Sequence, residues 1–161
     1  MDNKYMLGEG IIFNAKPDAV PYNYRLSYKM GQLCLIMAIC CARGGCSEIK
    51  LHIISFALIS REYFEQINKY IENPHIPYLV PRFDPSINRT VSYALSDKLI
   101  YRQGNGLLRL TEKGEKYIQL INKDKELLNY EKNILNQIGN SLSEVKIKEL
   151  MKSWRFIDAS H

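Results

Sequence analysis

Between Asp84 and Ile121 the chain has almost no residues to spare, so two amphipathic segments and a glycine-tipped pair of apolar runs must pack directly on one another. Asp84-Pro85 supplies an N-cap acceptor followed by the residue best suited to a first helical position. Ile87, Val91, Ala94 and Leu95 then recur at the spacing of a helix lying on a core, which predicts a helix from Pro85 to Lys98. Leu99 to Gln103 and Leu107 to Leu110 flank Gly104-Asn105-Gly106, residues that tolerate positive φ and permit a tight reversal, so a hairpin follows. Thr111 can cap a second helix with Gly114, Tyr117, Ile118 and Ile121 as its inward stripe. Gly114 in the first turn costs helix stability, and a close approach to the hairpin is its expected reason. Helix, hairpin and helix in this order predict a winged helix-turn-helix unit, a scaffold used for DNA binding or protein bridging.

At 161 residues and 46% hydrophobic content, the chain can form one well-cored domain with an appendage. Lys and Arg outnumber Asp and Glu by 22 to 17, a net charge of +5 that favours an acidic partner without establishing one. Cys34, Cys40, Cys41 and Cys46 cluster in one helix and the turn after it, a distribution expected of reduced thiols rather than of a disulfide framework. The amino terminus has no charged segment leading into an apolar core, and the apolar run from Leu33 to Ala42 falls short of the roughly 18 residues of a membrane span. The expectation is a cytoplasmic protein with no membrane contact.

The expected fold class is mainly α with a small β-hairpin. Residues 1–24 read as an N-terminal arm with at most one brief strand around Ile11-Ile12-Phe13. Residues 25–123 form the winged helix-turn-helix domain, and residues 124–161 a C-terminal helical extension. Arg25 to Ala42 predicts a central helix, apolar on every side in its second half and stopped by Gly44-Gly45. Ser47 can cap a helix to about Ile59, although Ile49, Leu51 and Ile53 alternate as in a strand; the length of the segment favours the helix. Arg61 to Glu72 carries Tyr63, Phe64, Ile67, Tyr70 and Ile71 on one stripe. Pro74, Pro77, Pro81 and Pro85 then impose an extended connector. Asp124 is placed to cap a helix containing Leu127, Leu128, Ile134, Leu135 and Ile138. Ser143 caps the last helix, with Leu142 and Ile147 as a hydrophobic staple.

Chemistry-bearing motifs are sparse. There is no phosphate-binding glycine loop, nucleophile elbow or paired-histidine zinc motif, and no cofactor is called for. His52, His75 and His161 lie far apart in sequence. Cys41, Cys46 and His52 straddle a turn, but their spacing matches no zinc module and buried small thiols account for the cysteines better. Candidate DNA-binding residues are Arg89 before the wing, Arg102 and Arg109 on it, and Lys113 just beyond. Beside Arg89 the helix offers mainly Asn88, Thr90, Ser92 and Ser96, a thin basic endowment, and these positions read equally as solvated residues on a protein-contact domain. Leu150, Met151 and Trp154 lie on one side of the last helix and are candidates either for partner binding or for closing the core.

Several stretches together carry a family likeness: Tyr24-Arg25-Leu26-Ser27 opening an apolar helix, Leu51-His52-Ile53-Ile54-Ser55-Phe56-Ala57-Leu58 in the next, and Asp84-Pro85-Ser86-Ile87-Asn88-Arg89 with Ala94 and Leu99-Ile100. Leu110-Thr111-Glu112-Lys113-Gly114, Glu131-Lys132 and the helix from Ser143 to Trp154 complete it. The chain resembles the middle component of the ABC three-component systems, as in Lamassu anti-phage defence, with Phe56 where that pattern carries a tryptophan. The resemblance implies a non-enzymatic adaptor that bridges an SMC-like or ABC-type ATPase and an effector protein such as a nuclease, with double-stranded DNA as a further partner inside the complex. The alternative is a homodimeric winged-helix transcriptional regulator.

Overall fold

A computed structural model describes residues 3–6, 12–15, 25–41, 43–75 and 79–159, with side chains described from Arg25 to Arg155. The described residues form two antiparallel hairpins and seven helices. In the N-terminal arm, β1 (Asn3–Met6) pairs with β2 (Ile12–Ala15), Asn3 opposite Ala15 and Met6 opposite Ile12. The arm therefore carries two strands rather than one, since an extended segment needs a partner for its backbone groups.

α1 (Leu26–Cys40) is the central element, packed against α2 (Glu48–Ile59), α4 (Ser86–Ser96), α5 (Glu112–Lys123) and α6 (Asn129–Ile138). Leu33, Cys34, Leu35 and Ile36 are consecutive and fully buried, as the all-round apolar sequence requires. The strand-like alternation at the start of α2 has the same cause: Leu51, Ile53, Ile54 and Leu58 are all buried, so the helix has no polar stripe to reveal its period. Ser47 Oγ accepts from Lys50 N at 3.2 Å to start α2, and Ser60 Oγ accepts from Tyr63 N at 3.2 Å to start α3 (Arg61–Glu72).

α4 begins one residue later than the sequence implies. Asp84 nevertheless supplies the cap, its Oδ1 accepting from Ser86 N at 2.9 Å and from Ser86 Oγ at 2.7 Å. The helix stops at Ser96, and Lys98 turns the chain in a left-handed conformation (φ 56°) so that Leu99 N donates to Ala94 O at 3.0 Å. β3 (Ile100–Arg102) and β4 (Leu108–Leu110) form the hairpin, with Tyr101 opposite Arg109 and Arg102 opposite Leu108. Cys46 adds a one-residue third strand, since its N–H and C=O both bond to Leu108 at 2.8 Å. Thr111 caps α5 by accepting from Gly114 N at 3.1 Å. A Cβ on Gly114 would lie 2.1 Å from Leu99 O, so helix and hairpin backbones meet where only glycine fits.

Asp124 caps a turn rather than a helix: its Oδ1 accepts from Glu126 N and Leu127 N, and α6 starts only after Leu128, which takes a left-handed conformation (φ 53°) to bury its side chain. α7 (Glu144–Ala159) starts as expected, with Lys146 N bonded to Ser143 Oγ at 3.2 Å and both staple residues, Leu142 and Ile147, buried. Two contacts hold its first turns on the domain. Tyr70 OH donates to Lys146 O at 3.0 Å, and Ser47 N donates to Glu144 Oε1 at 2.9 Å.

A polar chain runs through this core. Lys29 Nζ contacts Asp84 Oδ2 at 2.6 Å, both side chains only 2% exposed, and Ser55 Oγ donates to the same oxygen at 2.5 Å. Lys29 Nζ also reaches Gln32 Oε1 at 3.3 Å, Gln32 Nε2 donates to Tyr28 OH at 2.9 Å, and Tyr28 OH bonds to the buried Glu131 of α6. Burial alone would raise the Asp84 carboxyl, but hydrogen bonds from Lys29, Ser55 and Ser86 more than reverse this and hold it at about 2, below its ordinary 3.8. The sign follows from a folded-state pKa below the unfolded one: the contribution is complete above the ordinary value and disappears as pH falls through the folded one.

Two measurements check this account. Urea unfolding from about pH 5 to about pH 2 should show a loss specific to Asp84 of about 2 kcal/mol, absent from Asp84→Asn, whose side chain does not titrate. Gly114→Ala should cost about 3 kcal/mol by prying helix from hairpin. Gly104→Ala, where an added Cβ meets nothing within 4 Å, should change stability by less than about 0.5 kcal/mol.

Candidate nucleic-acid and partner interface

The outward face of α4 carries Asn88, Arg89, Ser92, Tyr93 and Ser96, all exposed, and the hairpin lies immediately after it in the chain. Of the cations that the sequence nominates for DNA, Arg89 is exposed and makes no hydrogen bond or ion pair among the described residues. It borders a groove of about 740 Å³ between the start of α1 and α4, with Leu26, Ser86 and Tyr93 on its walls. Asn88 is exposed but already engaged, its Oδ1 lying 3.1 Å from His52 Nε2.

Hairpin register explains the fates of Arg102 and Arg109. Directly opposed residues share a face, so Arg102 stands with Leu108 on the face that carries the buried Ile100, whereas Arg109 stands beside Tyr101 on the opposite face. Arg102 accordingly folds back: its guanidinium pairs with Glu48 in the first turn of α2 and donates to Gly106 O at 3.0 Å. Lys113 is also engaged, its Nζ donating to Asp97 O at 2.7 Å just past the end of α4. Arg109 is half-buried on the wall of a second groove. The four cations are thus spread over two grooves and two intramolecular clamps, and do not converge on one surface. Sequence spacing placed them on the right elements, but which face of a three-residue strand they occupy depends on register.

The partner-binding candidates divide in the same way. Leu150 is buried, and Met151 is half-buried and packed against the core, so both close the domain. Trp154 is 36% exposed, as is Val145 of the same helix at 64%. Leu120 on α5 is 62% exposed, off the inward stripe of that helix.

The thiols and His52 do not assemble a reactive centre. Burial pushes Cys34 and Cys40 up to about 12, and a hydrogen bond to Cys41 together with burial raises Cys46, so these thiols stay protonated and weakly nucleophilic. All four are free. His52 turns away from them, edge-on to Phe83 at 5.4 Å between ring centroids, with its Nδ1 buried and unbonded. Among the described residues no group of three His, Cys, Asp or Glu side chains is placed to hold a metal, and no helix is long and apolar enough to cross a membrane.

Lys50 is a residue that sequence reading passes over. It is buried, and its Nζ donates at 2.6 Å to Cys40 O at the end of α1, placing a cation where the helix dipole is negative. Lysine at the first turn of a capped helix carries no local signal of this.

A double-mutant cycle on Arg102→Ala and Glu48→Ala should give a coupling of about 0.5 kcal/mol, because both side chains are more than a third exposed and solvent screens the pair. No family model, curated protein or solved structure matches this chain.

Proposed function

We propose that this chain is a non-catalytic winged-helix adaptor that bridges an SMC-like or ABC-type ATPase and an effector such as a nuclease in an anti-phage defence complex. The winged-helix assignment draws support from the order α1, the Cys46 strand, α2, α4 and the β3–β4 hairpin, with α3 inserted between α2 and α4. In that scaffold α4 occupies the recognition position and the hairpin is the wing.

The observation that carries the adaptor role is the fate of the cations. A wing that grips phosphate needs several free guanidinium and ammonium groups, yet Arg102 is paired with Glu48 and Lys113 caps the end of α4, which leaves Arg109 alone on the hairpin. At the same time Trp154, Val145 and Leu120 remain exposed on the helices that follow the wing. Large apolar side chains left in water on helices are the usual material of protein contact. In the assembled complex the helical extension supplies affinity, and the wing side faces the moving ATPase head or the DNA it holds.

The homodimeric regulator keeps one observation in its favour: α4 exposes Arg89, Ser92 and Ser96 with no carboxylate among Ser86 to Ser96. The two roles separate by fluorescence anisotropy on a random duplex and by coexpression with the ATPase subunit. An adaptor alone should bind the duplex weakly, with Kd of about 10⁻⁵ M or above at physiological salt. Trp154→Ala should reduce copurification with the ATPase at least about tenfold while shifting the unfolding free energy by less than about 1 kcal/mol, as expected for an exposed anchor. Nanomolar binding to one duplex sequence by a homodimer would instead establish the regulator.

A further inference from the structure

Cys41 and Cys46 stand at the two ends of the turn that closes α1, where Gly45 reverses the chain with a φ of +107° that a side chain would strain. The reversal brings the two thiols into hydrogen-bond contact. Cys46 is fixed at its end by paired backbone bonds to Leu108 at 2.8 Å, and Cys41 shares a groove wall with Leu108. Their exposure differs: Cys46 is fully buried, whereas Cys41 is the one half-buried thiol and faces the open groove. The other two thiols are placed elsewhere. Cys40 Sγ donates to Leu135 O at 3.5 Å on the α6 side, and Cys34 lies fully buried within α1. At rest these thiols form no reactive centre; an external disulfide changes that at one pair.

We propose that Cys41 and Cys46 are a modification site for low-molecular-weight disulfides, which convert the pair to a reversible intrachain disulfide. Exchange runs through the thiolate. Cys41 gives its proton to solvent and attacks one sulfur of glutathione disulfide. The S–S bond of the reagent breaks, leaving glutathione on Cys41 and releasing the other half as a thiolate that takes up a proton. Cys46 then gives up its proton and attacks the Cys41 sulfur, and the second glutathione leaves and is protonated in turn. Two protein thiols are oxidised and one glutathione disulfide is reduced to two glutathiones, so no further oxidant is needed. Cys46 suits the second step only. Its thiol is held up first by the hydrogen bond with Cys41 and then by burial, while the buried Lys50 acts the other way. A mixed disulfide on Cys41 removes the first of these and leaves Lys50 in place, so the Cys46 thiolate becomes easier to reach once its target exists. The bond joins the end of α1 to the strand partner of Leu108, one residue from Ser47, which caps α2 and contacts Glu144 of α7. Oxidation therefore acts where the wing and the last helix are both anchored.

The test incubates the reduced full chain with glutathione disulfide, blocks remaining thiols with N-ethylmaleimide and digests with trypsin, which cuts after Arg43 and so separates the two cysteines. Peptide 30–43 should appear joined to peptide 44–50, with fragmentation placing the bridge at Cys41. The intact mass should fall by two hydrogen atoms, and dithiothreitol should restore it. Cys41→Ser should slow oxidation by glutathione disulfide at least about tenfold, because a fully buried Cys46 meets no external disulfide. Cys46→Ala should instead stop at the first step and hold one glutathione on Cys41. Far-ultraviolet circular dichroism checks that each variant is folded; should Cys46→Ala misfold, the linkage map of the native chain and the rate of Cys41→Ser decide. A chain that stays unmodified, a bridge through Cys34 or Cys40, a native chain that stops at a stable mixed disulfide, or Cys41→Ser oxidised as fast as the native chain would overturn the assignment.

Discussion

The contact between Lys29 and Asp84 joins three elements that have no covalent reason to stay together. Lys29 comes from the first turn of α1, Asp84 from the connector that launches α4, and the Ser55 hydroxyl on the same carboxylate from α2. A carboxylate sealed from water costs several kcal/mol unless its oxygens are satisfied, and here a cation, two hydroxyls and one backbone N–H converge on it. The same atoms that neutralise the charge thereby fix where α4 begins. Because Asp84 also caps α4, that helix is set in register with the core by electrostatics as well as by apolar packing.

From that point order spreads in two directions. Through Gln32 and Tyr28 the polar chain reaches Glu131, so α6 is tied to the centre of the domain rather than appended to it. Through α2 it reaches the base of the hairpin: Cys46 holds Leu108 by paired backbone bonds, and the neighbouring Ser47 both caps α2 and donates to Glu144 of α7. Two adjacent residues thus anchor the hairpin on one side and the last helix on the other. The division into a domain of residues 25–123 and an extension of residues 124–161 is therefore less sharp in space than in sequence, since Leu135, Ile138, Leu142, Ile147 and Leu150 belong to the same core as Leu33 and Ile36.

Local signals in the sequence read well where one residue decides one contact. Ser47, Ser60, Thr111 and Ser143 each cap the helix they precede, and Gly114 sits at the backbone crossing that its cost implies. Boundaries slipped where a residue had two roles. Asp84 caps α4 but is also half of an ion pair, and Asp124 closes a turn because Leu128 must reverse direction to reach the core. The buried polar chain is illegible because Lys29 and Gln32 look like ordinary solvated helix residues until Asp84 and Glu131, distant in sequence, are placed beside them, and the same holds for the separate contact of Lys50 with Cys40 O. The same limit applies to the candidate interface: helical spacing puts Arg89 outward, but only the folded chain shows that Arg102 is tied to Glu48 at the surface while Arg109 lies half-buried on a groove wall.

Gln32 has a constrained place in this arrangement. Its amide accepts from Lys29 with the oxygen and donates to Tyr28 with the nitrogen, so the direction of its dipole is dictated at both ends. A glutamate at that position could not donate, and a leucine would take one partner from each neighbour, leaving Lys29 with Asp84 and Tyr28 with Glu131. Divergent descendants of this chain should consequently alter positions 28, 29, 32, 55 and 84 as a concerted set, because a single step removes a partner from at least one buried polar group. Such correlated drift would leave the fold recognisable by its pattern of exchanges long after residue identity had faded.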